Sequence, residues 1–318
     1  MSHAIHILTH FSDADIAVQA QRLVQALSSF AAVTLWEDSS QQLGKKLGAV
    51  DVSPFSGRMP HGGTLILLGT HFLPGIWLDY AKPKRLIVIC MHPNATQTFA
   101  VLTKLERPSL PNVELVFASH RLQEMLGLPG LIGCDLIDLT RFKPTSRTPN
   151  EMFTIGRHDS MASKLHHHDD PSLYQMLAWS GVRTNLLGAN CLSAELNDVP
   201  EIVFFSSESV PTELFLSQLD CFFFRRKPSR PDASGSAVME ALASGLPVIA
   251  HDSGAYAKWI EQGENGYLFT HQEEAFGLLV RLKDEPEKRR QMGSAARASA
   301  ERLASEEKQG AYLRWLSA

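Results

Sequence analysis

Cysteines are scarce in this sequence and lie far apart. The four of them, Cys90, Cys134, Cys191 and Cys221, are spread over 318 residues, and no two form a Cys-x-x-Cys pair. A disulfide framework and a zinc ribbon are therefore not predicted. Buried free thiols in a reducing compartment are the simpler interpretation.

Long apolar runs are also absent. No segment approaches the roughly 18 apolar residues that a membrane-spanning helix needs. The N-terminus lacks a basic leader followed by a long apolar stretch. We therefore expect a cytoplasmic protein.

A strong excess of charge is missing as well. The formal net charge of −4 gives no support to a nucleic-acid partner. The first 150 residues carry 13 basic and 11 acidic side chains, and the rest carry 17 and 23. Lys82, Lys84 and Arg85 form the densest basic cluster of the first half. We interpret it as a solvated loop, with contact to an anionic acceptor or to the inner face of a membrane as the alternative.

The sequence does contain a regular alternation of short apolar runs and helical patterns. Strands are predicted over residues 4–8, 33–36, 65–68, 86–90 and 113–118, and again over 153–155, 185–187, 202–205, 221–224 and 248–250. Helices are predicted from Ser12 onward and over 171–179, 212–218, 236–243 and 275–283. This alternation indicates βαβ units on parallel sheets that are covered on both faces.

The alternation is interrupted once, and the interruption suggests the domain boundary. Residues 140–150 contain two prolines and no periodicity, which predicts a linker. We expect an α/β protein of two Rossmann-like, doubly wound domains, residues 1–145 and 146–300, facing each other across a cleft. Residues 301–318 are expected to form a C-terminal helix that packs back on the first domain. The charged tail from Glu285 is predicted to hold two helices with a break near Gly310.

Residues 219–269 carry the most informative chemical pattern. A predicted strand ends at Phe224 and runs into a polar loop, and a helix begins near Ser236. The backbone N–H groups of Gly235, Ser236 and Ala237 would bind an anion such as a diphosphate at that helix start. Gly235 would let the backbone approach the ligand closely.

Two acidic residues flank this helix start. Asp232 and Glu240 lie eight positions apart, the first before the helix and the second inside it. A carboxylate accepts two hydrogen bonds from vicinal hydroxyls, as on a sugar or a ribose. The pair is therefore suited to different parts of one extended ligand.

The second half also carries a series of motifs found together in one known family. They are DLTRFKP at residues 138–144, IGR at 155–157 with Lys164, LG at 187–188, EALASGLPVIA at 240–250, SG at 253–254 and NGYLF at 265–269. In these motifs the sequence resembles the retaining GT-B glycosyltransferases of the family GT4, also called glycosyl transferases group 1. The resemblance covers about residues 135–270 by motif, and the first domain only in its layout.

This resemblance implies a donor site for a nucleotide sugar in the second domain. The Gly156-Arg157 element and Lys164 would bind the donor diphosphate, and the fixed cations would stabilise the leaving group without a metal. Arg225 and Arg226 follow a predicted strand. One of them would assist the phosphates or an anionic sugar, with a solvated loop as the equal alternative.

The resemblance also implies roles for the two acids. Glu240 would hold the ribose hydroxyls of the nucleotide, and Asp232 would contact the hydroxyls of the transferred sugar. The sequence departs from the family pattern at three places. Asp232 replaces a glutamate, Ser253-Gly254 replaces a Gly-Gly turn with Ala257 where an acid is frequent, and His10-Phe11-Ser12-Asp13 replaces a glycine-rich loop.

Histidines are the candidates on the acceptor side. His10, His71, His92 and His120 each follow an apolar strand run. A neutral imidazole in such a place can polarise an acceptor hydroxyl. We select His10 because it follows the first strand.

The run from His166 to Asp170, HHHDD, raises the question of a metal site. Adjacent residues do not all face one ion, and zinc sites usually space their ligands. We interpret the run as a solvated loop before a helix that Asp170 caps, with Pro171 at its first position. No metal and no cofactor are expected, since the nucleotide sugar is a substrate.

The resemblance favours one function over two alternatives. The favoured one is retaining transfer of a sugar from a UDP- or GDP-linked donor to a glycan or lipid-linked acceptor, in cell-surface polysaccharide biosynthesis. The enzymatic alternative is a GT-B nucleotide-sugar epimerase or hydrolase. The other is a non-catalytic nucleotide-sugar-binding subunit that partners an active transferase, which Asp232 and the missing glycine-rich loop would suit.

Overall fold

A computed structural model describes residues 4–11, 14–38, 42–72, 74–92, 94–134, 136–146, 150–158, 166–206, 209–227 and 235–318. The chain divides into two compact units. The first comprises Met1–Leu136 together with Glu306–Ala318, and the second comprises Ile137–Ser305.

The first unit is built on a parallel sheet of seven strands. These are β1 (Ala4–Thr9), β2 (Ala32–Glu37), β3 (Val50–Asp51), β4 (Thr64–Leu68), β5 (Arg85–Cys90), β6 (Val113–Phe117) and β7 (Leu131–Ile132). Their order in the sheet is β3-β2-β1-β4-β5-β6-β7. The helices are α1 (Ala14–Leu27), α2 (Gln42–Lys46), α3 (Trp77–Ala81), α4 (Ala95–Leu105) and α5 (His120–Leu126).

Apolar side chains cover both faces of this sheet. In β4, Leu65 and Leu67 belong to the core on one face, and Ile66 and Leu68 belong to the core on the other. Successive residues of a strand point to opposite faces, so a strand buried on both sides reads as a continuous apolar run. This is why the run 65–68 predicts its strand so directly.

The second unit repeats the plan with six parallel strands. These are β8 (Thr154–His158), β9 (Arg183–Leu187), β10 (Ile202–Phe205), β11 (Cys221–Phe224), β12 (Val248–His251) and β13 (Gly266–Phe269). Their order is β10-β9-β8-β11-β12-β13. The helices are α6 (Asp170–Trp179), α7 (Ser193–Leu196), α8 (Thr212–Leu216), α9 (Ser236–Ala243), α10 (Gln272–Asp284) and α11 (Pro286–Leu303). The predicted pair of doubly wound parallel sheets is thus confirmed.

Strand β11 shows how the second core is divided. Phe222 and Phe224 pack in the cluster on one face of the sheet, and Cys221 and Phe223 pack in the cluster on the other. The Cys221 thiol therefore lies in the apolar core, and burial raises its pKa. None of the four cysteines forms a disulfide; Cys90 and Cys221 are buried as expected, whereas Cys134 is half-buried and Cys191 is exposed.

In the first sheet, the sequence prediction missed two strands, β3 and β7. Each has only two residues, and so neither leaves an apolar run that a pattern can reveal. Both lie at the edges of the first sheet.

Residues predicted as a linker are in part core. Phe142 is buried in the second unit, and Nη1 of Arg297 donates hydrogen bonds of 2.7 Å to the carbonyls of Phe142 and Ala243. The division therefore falls between residues 136 and 137, nine residues before the predicted boundary. The two prolines of this segment correctly predict that it is not a helix, but a proline does not indicate whether its neighbours are buried.

The last helix, α12 (Glu306–Ser317), belongs to the first unit. Its Leu313 and Leu316 join the core beside β1 and α1. The predicted break near Gly310 is wrong, because Gly310 lies inside α12 and the interruption falls at residues 304–305. A glycine costs a helix only about 1 kcal/mol, which the burial of two leucines offsets. Within the described part of the chain, every helix is too short or too polar to cross a bilayer.

Candidate functional site

The carboxyl edge of the second sheet is the place where most of the predicted donor residues meet. The strand order reverses between β8 and β11, which are neighbours in the sheet although two strands separate them in sequence. Ligands of doubly wound sheets bind outside the carboxyl ends of the strands at such a reversal. Arg157 and His158 end β8, and Arg225 directly follows β11.

A single carboxylate holds both of these arginines. Nη1 of Arg157 donates to Oδ2 of Asp170 at 2.8 Å. Nε and Nη2 of Arg225 donate to Oδ1 of the same residue at 2.9 and 2.7 Å. Relative exposure is 1% for Arg157, 2% for Arg225 and 0% for Asp170. The cluster is therefore a buried, hydrogen-bonded ion triad with one positive charge in excess.

The electrostatics of Asp170 follow from these contacts. Burial by itself would raise the pKa of the carboxyl group. The hydrogen bond with His166 and the charges of Arg157 and Arg225 outweigh it and lower the pKa to about 2. Asp170 is also the first residue of α6, where the helix dipole favours a negative charge.

The interpretation of the run from His166 to Asp170 as a solvated loop is wrong for its two ends. His166 and Asp170 are buried, and the His167 backbone N–H donates to Asp170 at 3.0 Å. The run contains five consecutive polar residues, a pattern that predicts solvent exposure. The two arginines that compensate the buried charge of Asp170 lie 13 and 55 residues away from it, in β8 and directly after β11, so the local pattern does not reveal them.

The middle of that run brings three metal-ligating atoms together. One ligand atom from each of His167, His168 and Asp169 lies within 4.8 Å of the others. His168 is largely exposed, and Nδ1 of His167 accepts a hydrogen bond from the Asp169 backbone N–H at 3.2 Å. Burial and the charge of Arg225 lower the pKa of His167. The expectation that no metal binds here stays a prediction.

The start of α9 has the geometry that the sequence predicts for an anion site. Gly235 precedes the helix with φ of +71°, in the left-handed region that glycine adopts without strain. A Cβ at Gly235 would lie 2.5 Å from the Trp259 ring. The first hydrogen bond to a helical amide runs from Met239 to the Gly235 carbonyl at 3.0 Å. The amides of residues 236–238 thus precede the intrahelical ladder, as at any helix N-terminus.

Glu240 lies one turn inside α9, next to the end of β8. Its Oε2 is 3.1 Å from Nε2 of His158, and the His158 ring packs at 5.4 Å from that of Phe222. Glu240 is only 6% exposed. His158 was not among the predicted residues, since a histidine after Gly-Arg has no distinguishing pattern in the sequence.

Gly156 lies within β8, and its neighbours leave no room for a side chain. A Cβ there would be 2.5 Å from Cδ2 of Leu219 and 3.0 Å from the carbonyl of Asn185. Close packing against the sheet therefore requires a glycine at this position. Its assignment to donor binding stays a prediction. Lys164 and Asp232, the remaining predicted donor residues, lie outside the described residues.

The carboxyl edge of the first sheet contains the histidines. The strand order reverses between β1 and β4, and His10 follows β1. Nδ1 of His10 lies 2.8 Å from Oδ1 of Asp38, which follows β2. His71 and His92, after β4 and β5, are in edge-to-face contact at 5.4 Å. Asp38 was missed by the sequence reasoning, because contact between the ends of two strands depends on the order of strands in the sheet.

The basic cluster of the first half is only partly exposed to solvent. Arg85 starts β5 and makes a two-pronged ion pair with Glu114 at 2.6 and 2.8 Å. Its guanidinium also stacks at 4.3 Å on the Trp315 ring of α12. One of the three cations is therefore part of the packing of the first unit.

Comparisons with known proteins agree with this architecture. Residues 180–299 match the family model described as Glycosyl transferases group 1. No curated protein matches the chain. The resemblance to this family is thus confirmed over the segment that contains β11, α9 and Glu240.

Solved structures extend the likeness to the whole chain. HepE of Anabaena in complex with UDP-glucose has a TM-score of 0.73 at 12% identity, covering 99% of this chain and 98% of that one. WaaG, a glycosyltransferase involved in lipopolysaccharide biosynthesis, has a TM-score of 0.69 at 12% identity, with 99% of each chain covered. Sucrose-phosphate synthase from Thermosynechococcus elongatus has a TM-score of 0.69 at 13% identity, covering 99% and 98%. At these identities the likeness concerns the fold, which is GT-B.

Proposed function

We propose, from a group 1 glycosyltransferase segment on a GT-B fold, that this protein transfers a sugar from a nucleotide sugar to a hydroxyl acceptor. The donor is a UDP- or GDP-linked sugar, and the acceptor is a glycan or a lipid-linked sugar in cell-surface polysaccharide assembly. Transfer proceeds with retention of the anomeric configuration and without a metal ion. The observation that carries the proposal is that Arg157 and Arg225 lie at the carboxyl ends of neighbouring strands, with Glu240 of α9 beside His158 at the end of β8.

The proposed chemistry depends on charge that develops on the leaving diphosphate. Arg157, Arg225 and Lys164 supply cations, and the amides of Gly235, Ser236 and Ala237 supply N–H donors. Groups fixed in place before the reaction stabilise such charge without reorganisation. Guanidinium groups bind phosphate oxygens in a two-pronged manner, whereas a lysine acts as a point charge.

The two acids are proposed to bind hydroxyls. Glu240 holds the ribose of the nucleotide, and Asp232 contacts the transferred sugar. His10 is proposed to accept a hydrogen bond from the acceptor hydroxyl, with Asp38 on its other ring nitrogen at 2.8 Å. This arrangement would hold the imidazole in the tautomer that leaves Nε2 as the acceptor.

A panel of UDP- and GDP-sugars with mass-spectrometric detection of products tests this function. Transfer to an added glycan or lipid-linked acceptor is the expected result. Donor hydrolysis or epimerisation alone would support the GT-B epimerase or hydrolase. Donor binding without turnover would support the non-catalytic subunit, which the replacement of the family's glutamate by Asp232 favours. The anomeric configuration of the product, read by NMR, decides retention.

The site assignment is tested by Glu240→Gln. Losing the carboxylate that accepts two ribose hydroxyl hydrogen bonds should weaken binding of the nucleotide about tenfold. Isothermal titration with UDP and GDP measures it. Glu273→Gln, at an exposed position in the first turn of α10, is the matched control and should leave the affinity unchanged. Equal affinity in Glu240→Gln and in the wild type would remove Glu240 from the site.

A further inference from the structure

Asp170 joins the two arginines at the site into one unit. It was not a predicted site residue, yet each of its carboxylate oxygens contacts a different guanidinium. Oδ1 accepts both bonds from Arg225, and Oδ2 accepts the bond from Arg157.

The contacts fix the orientation of the Arg225 guanidinium. Nε and Nη2 form one edge of the planar group, and both donate to Asp170. Nη2 also lies 3.3 Å from Oε1 of Gln272, whose amide nitrogen is 3.2 Å from Oγ of Ser172. Rotation of the guanidinium would break these bonds together, so its Nη1 edge keeps one direction.

The Asp170 carboxylate is itself held by the backbone. The His167 N–H donates to Oδ2 at 3.0 Å, and Asp170 starts α6, whose Leu173, Tyr174 and Leu177 are fully buried in the core. Both arginines end or follow strands that are hydrogen-bonded to each other. The carboxylate is therefore anchored to the helix, and the cations are anchored to the sheet.

We propose that Asp170 is a positioning residue that directs Arg157 and Arg225, as one pair, at the diphosphate of the donor. This inference rests on the proposed function. Asp170 does not bind the donor. It compensates part of the charge of two guanidiniums that are 1% and 2% exposed, and it leaves one positive charge in excess for the diphosphate. Prearranged donors bind an anion without the cost of ordering two long side chains.

The test compares Asp170→Asn with its neighbour Asp169→Asn. Asp169 has a half-exposed carboxylate without an arginine partner among the described salt bridges, which makes it the matched control. Titrations use UDP, GDP, inorganic pyrophosphate and uridine. Asp170→Asn should bind pyrophosphate and the preferred nucleotide at least tenfold more weakly than the wild type. Its affinity for uridine, which has no phosphate, should stay within twofold. Asp169→Asn should match the wild type for every ligand.

A purely structural role for Asp170 would give a different pattern. Equal weakening of uridine and nucleotide binding, or unchanged pyrophosphate binding, would overturn the proposal. Failure of the wild type to bind UDP, GDP or pyrophosphate would overturn it as well. Binding of UDP or GDP with no transfer from any donor would instead contradict the proposed function alone, because the positioning role is judged on diphosphate affinity.

A second pair of variants covers the case in which Asp170→Asn does not fold. Asp170→Glu keeps the charge but shifts the carboxylate by one methylene, and should weaken nucleotide binding at least threefold while uridine binding is kept. Asp170→Glu should have no further effect on nucleotide affinity in an Arg157→Gln, Arg225→Gln background, since Asp170 acts through these arginines. Additive losses in the triple variant would overturn the proposal.

Discussion

The two sheets of this protein are alike in plan and different at their carboxyl edges. Both are parallel, both are covered on two faces, and both reverse their strand order beside their first strand. At the edge of the second sheet lie two arginines that share a buried aspartate, together with a helix that begins after a left-handed glycine. At the edge of the first sheet lie histidines, one of them beside Asp38. One fold thus presents buried ion pairs at this edge in one unit and imidazole side chains in the other.

This difference fits the two halves of the proposed transfer reaction. UDP- and GDP-linked donors share the same diphosphate, so fixed cations and backbone amides suit it. An acceptor hydroxyl needs a group that exchanges a proton or a hydrogen bond near neutral pH, and imidazole is such a group. We therefore expect the two edges to depend on different forces.

The largest expected effect concerns the ion triad of the second unit. Asp170→Ala leaves two buried guanidiniums without their carboxylate, which should lower the free energy of unfolding by about 3–5 kcal/mol at pH 7. The wild type should also lose about 2 kcal/mol of this advantage as the pH falls from about 4 to 2. The pKa of Asp170 is lowered to about 2 in the folded state, so its contribution is present above the unfolded value and disappears as the carboxylate is protonated.

Urea unfolding at several pH values measures this effect. Asp169→Ala is the control for the same loop, and its free energy of unfolding should stay within about 0.5 kcal/mol of the wild type. A constant difference between wild type and Asp170→Ala from pH 4 to pH 2 would contradict the assignment of the charge to the folded triad.

An intermediate effect is expected from the backbone turn before α9. Gly235→Ala forces a side chain into a left-handed conformation and towards the Trp259 ring, 2.5 Å from the new Cβ. The free energy of unfolding should fall by about 1–3 kcal/mol, and pyrophosphate binding should weaken as the helix start shifts. Calorimetry and titration measure both quantities.

Gly277→Ala provides the contrasting glycine. It lies inside α10, and an added Cβ would meet nothing within 4 Å. This variant should be neutral or stabilised by up to about 1 kcal/mol. If both variants behave alike, the turn at Gly235 has no special role.

The smallest effect is expected at the edge of the first sheet. His10→Gln removes the imidazole proposed to contact the acceptor hydroxyl, which should lower the rate of transfer about fivefold, equivalent to about 1 kcal/mol for one hydrogen bond. UDP affinity should not change. His61→Gln, before β4 and therefore at the opposite edge of the same sheet, is the control. A loss of UDP affinity in His10→Gln would contradict the separation of roles.

Much of the local structure of the candidate site could be predicted from the sequence. Strand β11, the loop after it and helix α9 are consecutive, so the pattern around Gly235 and Glu240 describes one local turn. The Gly-Arg element ends a strand within the same kind of unit. Local motifs of this sort depend on backbone conformation and on helix dipoles, which are properties of neighbouring residues.

Contacts between residues that are far apart in the sequence could not be predicted from it. Asp170 lies in a polar run that predicts solvent exposure, and only Arg157 and Arg225 make its burial favourable. Phe142 lies in a segment with two prolines, and only Arg297 and the second core explain its burial. The helix break predicted at Gly310 is wrong for a similar reason. The stability of α12 comes from leucines that pack beside β1, and a local pattern does not reveal this packing.

The sequence alone determined the class of fold, since doubly buried strands leave continuous apolar runs and helices leave periodic ones. It also determined the helix start and the acid of the α9 segment. The tertiary structure alone decided that Arg157, Arg225 and Asp170 form one triad where the strand order of the second sheet reverses. The physical reason is that a buried charge is stable only beside its partner, and the order of strands in the sheet decides which partners meet.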